Sequence, residues 1–415
     1  AFDVEIARLR AIAEAGRPAV SVAYEPQAPM IRLDGSPLND GELRSFEGNA
    51  SLVIPGIGVV TLRSGPASGQ DERLRQVEER RRVLLGSLGV DDLAAARRRL
   101  MAAQSKEGDL RELKARKMDN IIPPKPLDMK AVARVHDKGF LKFLESAWRE
   151  WTKAGYRGEI VPTGFPARSM QQRCPKHIDG KVGYYIHSVE TCITAGTWGA
   201  ACASASVALT AQKLIAGGEK STFALCRPPG HHAHDDLYGG YCFLNNAAIA
   251  TQAFRDSGAA RVAILDVDFH HGNGTQDIFY ERNDVLFCSL HGEPETAYPY
   301  FLGFKDETGA GKGEGFNFNY PLPEGCSYDK WSKALGQACG KVKAFSPDVL
   351  VVSLGVDTYE KDPISYFKLK SADFRDYGRR IAKLKLPTLF VMEGGYAIEA
   401  IGVNTVNVLE GFLDA

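Results

Sequence analysis

The residues best suited to chemistry gather in one run, Ile264-Leu265-Asp266-Val267-Asp268-Phe269-His270-His271-Gly272-Asn273-Gly274. Apolar and acidic residues alternate up to a Gly-Asn-Gly break, the pattern of a buried strand ending in a turn. Alternate side chains of a strand share a face, so Asp266, Asp268 and His270 are expected to point the same way at its end. Carboxylate and imidazole together suit zinc. Buried acids can also serve structural hydrogen bonds, and a His pair can be ordinary loop, so this run alone leaves both readings open.

From about Asn120 onward, apolar strands alternate with helices. Strands are expected at Thr222–Leu225, Val262–Val267, Leu286–Leu290, Val349–Leu354 and Thr388–Met392, with helices among others at Asn246–Arg255, Trp331–Phe345 and Phe374–Lys385. This alternation predicts crossover connections and a mainly parallel sheet covered on both faces. In such sheets the ligand site lies beyond the carboxyl ends of the strands. The residues just past each strand are therefore informative: Cys226-Arg227-Pro228-Pro229-Gly230-His231-His232-Ala233-His234, then His270-His271, His291-Gly292, Asp357, and Glu393-Gly394-Gly395-Tyr396. Five strand ends deliver His, Asp and Tyr to one edge, a convergence hard to reach by accident.

The first hundred residues differ. Glu5–Glu14 and Gln70–Arg99 read as charged helices, and between them Ala19–Tyr24, Met30–Leu33, Ser51–Ile54 and Val59–Leu62 read as short strands divided by Gly, Pro, Asn and Asp. The expected organisation is a small β module at 1–100, a polar linker at 101–118 and an α/β domain at 119–415. Acidic and basic residues balance at 51 each, which gives no support to nucleic acid or an anionic membrane as partner. Eight scattered cysteines without a CxxC pair predict free thiols in a reducing compartment. The opening Ala1-Phe2-Asp3-Val4-Glu5 is no signal peptide, so a cytoplasmic location is expected. Thr191–Gln212 carries no charge, yet Ala, Ser, Thr and Gly dominate it, so a closely packed buried helix is expected rather than a membrane span.

Arg227–Ala233, Gly239-Gly240-Tyr241-Cys242-Phe243, Ile264–Gln276, Ser353–Ile364 and Met392–Tyr396 together resemble the zinc-dependent histone deacetylase and acetylpolyamine amidohydrolase family, and most of all its bacterial acetylpolyamine amidohydrolases. The resemblance covers about Asn120 to Leu413 and implies the arginase/deacetylase fold. Residues 1–105 vaguely resemble the segment that interrupts the coiled coil of structural-maintenance-of-chromosomes-like ATPases, but no GxxxxGK[ST] occurs in the chain. The resemblance also implies a strand upstream of Asn120 that sits inside the sheet. No such strand is recognisable, so either the N-terminal module replaces it or the sheet is incomplete.

By the same resemblance Asp268, His270 and Asp357 hold one zinc ion per chain, and Asp266, Ser289 and Leu290 hold a potassium ion with main-chain carbonyls of Asp268 and His270. A second potassium would lie near Phe279, Arg282, Val285 and Asn319. His232 is implied as general base and His231 as its electrostatic companion, paired with Asn273 and Asp266 respectively. Tyr396 would donate to the developing oxyanion, and the Gly240 carbonyl would accept from the scissile amide. Tyr241 and Tyr298 would line a tunnel with Ile364 at its mouth, while Asp179 and Glu190 would meet a distal ammonium. The implied activity is hydrolysis of small acetylated amines, with a homodimer left open. A protein-lysine deacetylase and an inactive binding module on the same fold are the alternatives.

Overall fold

The computed structural model describes Ile6 and residues 18–24, 29–46, 49–63, 73–81, 111–116, 118, 120–167 and 171–415. The chain divides into two compact units, Ala1–Ala96 and Arg97–Ala415.

In the smaller unit β1 (Ala19–Val20) is followed by β2 (Arg32–Leu33), β3 (Ser36–Pro37), β4 (Arg44–Ser45), β5 (Asn49–Ile54) and β6 (Gly58–Arg63). β1 pairs with β4, and the others form an antiparallel sheet of order β3-β2-β5-β6. Asp34 and Gly35 both have positive φ, 47° and 78°, and join β2 to β3 as a two-residue hairpin turn whose twist matches the strands. Leu33, Leu38, Ala50 and Leu52 are its buried core. Residues 73–81 are helical; the rest of the two expected charged helices, Ile6 apart, lies outside the described residues.

The larger unit holds one parallel sheet. Its strands are β7 (Ser221–Ala224), β8 (Val262–Asp266), β9 (Val285–Gly292), β10 (Asn317–Leu322), β11 (Val349–Leu354) and β12 (Thr388–Met392). Their order is β10-β9-β8-β11-β12-β7, and every pairing is parallel. β8, β9, β11 and β12 are buried along their whole length, as a sheet covered on both faces requires. The five expected strands are present, and β10 is a sixth that sequence reasoning missed. Its Asn317-Phe318-Asn319-Tyr320-Pro321 mixes polar and aromatic residues and carries a proline, which is tolerated because β10 is an edge strand.

Helices α1 (Met129–Val132), α2 (Lys138–Lys153) and α3 (Ile178–Tyr184) precede β7 in the chain, and alternate residues of the strands feed two cores. Ala263, Leu265, Leu350 and Val352 pack with Trp331 and Leu335 of α7 (Tyr328–Phe345), Phe374 and Tyr377 of α8 (Ser371–Ala382) and Val406 of α9 (Ile398–Leu413). Val262, Ile264, Val349 and Val351 face the other way, onto Ala208, Ala211 and Ile215 of α4 (Thr197–Ala216) and Ala247 and Phe254 of α5 (Asn246–Asp256). From Thr197 onward the uncharged stretch is a helix, buried for most of its length from Ser204, and its small residues let it lie close to the sheet. Among the described residues no helix is long and apolar enough to cross a membrane.

The chain steps outward from β8 through β9 to β10, then returns to the other side of β8 for β11. Outside the carboxyl ends of β8 and β11 there is therefore a crevice where the strand order reverses, the place where open α/β sheets bind ligands. At the far edge lies β7. The described strands of residues 19–63 form sheets of their own, so among the described residues none adds to the six-stranded sheet. Of the expected linker, residues 101–110 and 117 lie outside the described residues, whereas 111–115 are helical. Leu113 is buried in the main core, and Arg116 pairs with Glu410 at 2.8 Å, so the end of that stretch is packed on α9.

Candidate active site

β8 ends at Asp266, so Asp268 and His270 leave the strand instead of continuing its alternation. This corrects the expectation of three side chains on one face. The run turns at Gly272 into α6 (Asn273–Phe279), and Asp266 points to His231 while Asp268 and His270 meet Asp357 from the end of β11. His270 Nδ1 lies 2.9 Å from Asp357 Oδ2 and 3.2 Å from Asp268 Oδ1. One donor atom from each of these three buried residues lies within 4.8 Å of the other two.

Backbone donors aim the carboxylates. Asp268 accepts from the N–H of His270 and of Gly394, each at 2.8 Å, and Asp357 accepts from Phe269 N–H at 2.8 Å. Gly394 must be glycine here, because a Cβ would lie 2.6 Å from Asp268 Oδ2 and 2.7 Å from Asp357 Oδ2. Burial and then the charge of Asp268 push Asp357 up to about 8. Burial raises Asp268 too, but His231 and His270 outweigh it and hold that carboxyl below its usual range. Two carboxylates forced together away from water, with imidazoles as their ion-pair partners, are the donor set a divalent cation would neutralise.

Above this trio stand two histidines from the loop after β7. His231 Nδ1 lies 3.0 Å from Asp266 Oδ2, and His232 Nδ1 lies 2.6 Å from Asn273 Oδ1. Their rings are 4.0 Å apart, yet their environments drive them in opposite directions. Burial pulls His231 down, but the Asp268 and Asp266 carboxylates outweigh it and raise its pKa to about 10. Burial, then the positive charges of His231 and His270, pull His232 well below 6.5. One imidazole is thus kept charged and its neighbour neutral, the pairing from which acid and base roles are read.

Tyrosines complete the surroundings. Tyr298 stands edge-on to His232 with ring centroids 5.0 Å apart, and its hydroxyl is 2.8 Å from Ser188 Oγ. The Tyr396 ring lies 6.1 Å from Tyr241 and 6.4 Å from His270. Burial and then the Asp268 and Asp357 charges raise the Tyr396 hydroxyl well above 10, so it stays a donor. Tyr241 and Ile364 are about half exposed, at 43% and 45%.

The histone deacetylase domain matches residues 94–412. Acetylpolyamine amidohydrolase 1 of Pseudomonas aeruginosa is 57% identical over 305 residues, 73% of this chain and 88% of that protein. The chain belongs to the histone deacetylase family. It is a deacetylase-type amidohydrolase with the arginase/deacetylase fold. Acetylpolyamine amidohydrolase of Mycoplana ramosa is 53% identical over 71% of this chain and 86% of its own length. A crystal structure of acetylpolyamine aminohydrolase from Burkholderia pseudomallei aligns with a TM-score of 0.71 at 39% identity, over 74% of this chain and 90% of that one.

In this deacetylase-family chain the two acids expected at the tunnel mouth have different surroundings. Glu190 Oε1 accepts from the Gly240 N–H at 3.1 Å and from Ser188, the residue that also meets Tyr298. Asp179 instead accepts from Thr163 Oγ1 at 2.8 Å, and its Oδ1 is buried without a partner. The Gly240 carbonyl accepts from the Cys242 Sγ–H at 3.3 Å. Ser289, register partner of Asp266, has its hydroxyl 2.8 Å from His291 Nδ1. Among the described residues no disulfide joins any of the eight cysteines.

Some functional side chains escaped sequence reasoning. Glu393 is fully buried, and its Oε2 accepts from the N–H of Gly230 at 2.7 Å and of His231 at 3.1 Å, fixing the loop that carries both histidines. Burial raises its carboxyl to about 7. Asp362 accepts from the N–H of Tyr396 at 2.8 Å and of Ala397 at 3.2 Å, so it holds the tyrosine loop. Buried acids directly beside glycines or prolines of the recognised runs, Glu393-Gly394 and Asp362-Pro363, were the available signal.

Proposed function

We propose that this protein hydrolyses the acetyl amide of acetylated polyamines and related small acetylated amines, releasing acetate and the free amine. The observation that carries the reading is the buried Asp268, His270 and Asp357 trio beneath a histidine pair of opposite electrostatic fate. Those three residues would hold one zinc ion, which when bound supplies a Lewis acid for the amide carbonyl and makes water nucleophilic at neutral pH. Asp266 and Ser289, with the Leu290 carbonyl, offer an all-oxygen set for a potassium ion.

His232, neutral and with Nδ1 engaged by Asn273, keeps Nε2 free to take a proton from the attacking water and later to give it to the departing amine. His231 stays an imidazolium and stabilises negative charge next door. The Tyr396 hydroxyl donates to the carbonyl oxygen as charge builds there, and the Gly240 carbonyl accepts the amide N–H. Tyr241, Tyr298 and Ile364 wall the passage for a straight alkyl chain. Glu190, exposed beside Gly240, and Asp179, with its unpartnered oxygen, would meet the distal ammonium of a polyamine. Acetate release from acetylputrescine, set beside release from an acetyl-lysine peptide, tests the proposal. Preference for the peptide would reassign the protein to protein-lysine deacetylation.

A further inference from the structure

Asn273 makes a directional choice that a carboxylate would not face. A carboxylate accepts from His232 through either oxygen, whereas an amide shows oxygen on one side and NH2 on the other. With Oδ1 toward His232, as found at 2.6 Å, the ring's proton sits on Nδ1 and Nε2 is left as a base. Turned over, the amide would present NH2, Nδ1 would have to accept, and the proton would move to Nε2.

The neighbours of Asn273 select between these orientations. Asn273 Nδ2 lies 2.9 Å from His234 Nε2, and His234 Nδ1 lies 3.1 Å from Asp277 Oδ2. The nearby Asp277 carboxylate draws the His234 proton to Nδ1, and Nε2, which faces the amide nitrogen of Asn273, is left as the acceptor. The amide then turns its NH2 to His234 and its oxygen to His232. Donors and acceptors run in one sense along four residues, from Asp277, whose side chain is 48% exposed, to the buried His232. His234 is held in place by His187, centroids 5.4 Å apart, whose Nε2 is 3.1 Å from the His232 carbonyl.

We propose that His234 and Asp277 are positioning residues that orient the Asn273 amide and, through it, set the tautomer of His232; this rests on His232 being the general base. The test uses the zinc-loaded enzyme with His234→Gln, His234→Ala and His234→Lys. Glutamine offers Asn273 an acceptor and Asp277 a donor, so its kcat should stay within about threefold of the parent. Alanine should lower kcat by roughly tenfold to a hundredfold, the usual loss for an outer-shell partner, with KM nearly unchanged. Lysine, which only donates, should lose at least as much and move the His232 proton to Nε2, read from imidazole nitrogen resonances of 15N-histidine-labelled protein. Glutamine as damaging as alanine, an unchanged kcat with lysine, or an Nδ1 proton on His232 in the lysine variant would overturn the proposal. A fully active His232→Ala would instead overturn the assignment of the base, while the resonances would still decide whether His234 sets the tautomer.

Discussion

Gly240 lies flat against the imidazole of His232, so close that a Cβ at residue 240 would stand 2.3 Å from the ring's Cδ2. Its φ of 58° also lies where side chains are strained. Gly240→Ala should therefore displace the His232 ring and lower kcat by at least about tenfold, since small misplacements of catalytic groups are costly. Metal content measured on the same sample should remain that of the parent; full activity would mean the loop yields in place of the ring.

Asp357→Ala removes one of the three proposed zinc ligands, a carboxyl that burial and then the Asp268 charge raise to about 8. The variant should lose stoichiometric metal by elemental analysis and nearly all activity. Chelation should lower the melting temperature of the parent, because a ligand bound only to the folded state stabilises it, and should leave the variant's unchanged. Full metal occupancy in the variant would discard the assignment.

Tyr396→Phe deletes a hydroxyl and nothing else. Loss of one oxyanion donor typically slows an enzyme by roughly a hundredfold to a thousandfold, and that fall in kcat with little change in KM is expected. An unchanged rate would show that the hydroxyl points elsewhere.

Glu190→Gln keeps the shape and the acceptor for the Gly240 N–H but drops the charge. Turnover of acetylputrescine and acetylspermidine should fall by about ten- to a hundredfold in kcat/KM, the scale of one near-surface charge pair, while a neutral acetyl-lysine analogue is little affected. Equal losses on both substrates would remove Glu190 from polyamine recognition.

His136 and His291 are buried as neutral imidazoles, and burial depresses both from 6.5 to about 4. His136 Nε2 accepts the Asn245 N–H at 2.9 Å, a bond that protonation would abolish. The unfolded chain binds these protons more readily, so stability present above pH 6.5 is lost as the pH falls through about 4. The melting temperature should drop across that window, and a flat profile would contradict the burial argument.

The sequence by itself determined the parallel α/β architecture and singled out the residues proposed to hold the metal. Buried parallel strands are short apolar runs, and the acids and histidines come directly after them at Asp268, His270 and Asp357. Only the tertiary structure decided how these side chains are aimed and what holds them. Asp266, the last residue of β8, faces His231, whereas Asp268 and His270 lie past the strand's end and meet Asp357. The Asn273, His234 and Asp277 chain, the Glu393 clasp on the His231 loop and the bond from Thr163 to Asp179 were likewise settled in space. Local periodicity reports which side of an element is buried. Which polar groups meet there depends on strand order and loop path, and residues such as Glu393 and Gly230, far apart in the chain, become partners only when β12 and β7 lie side by side.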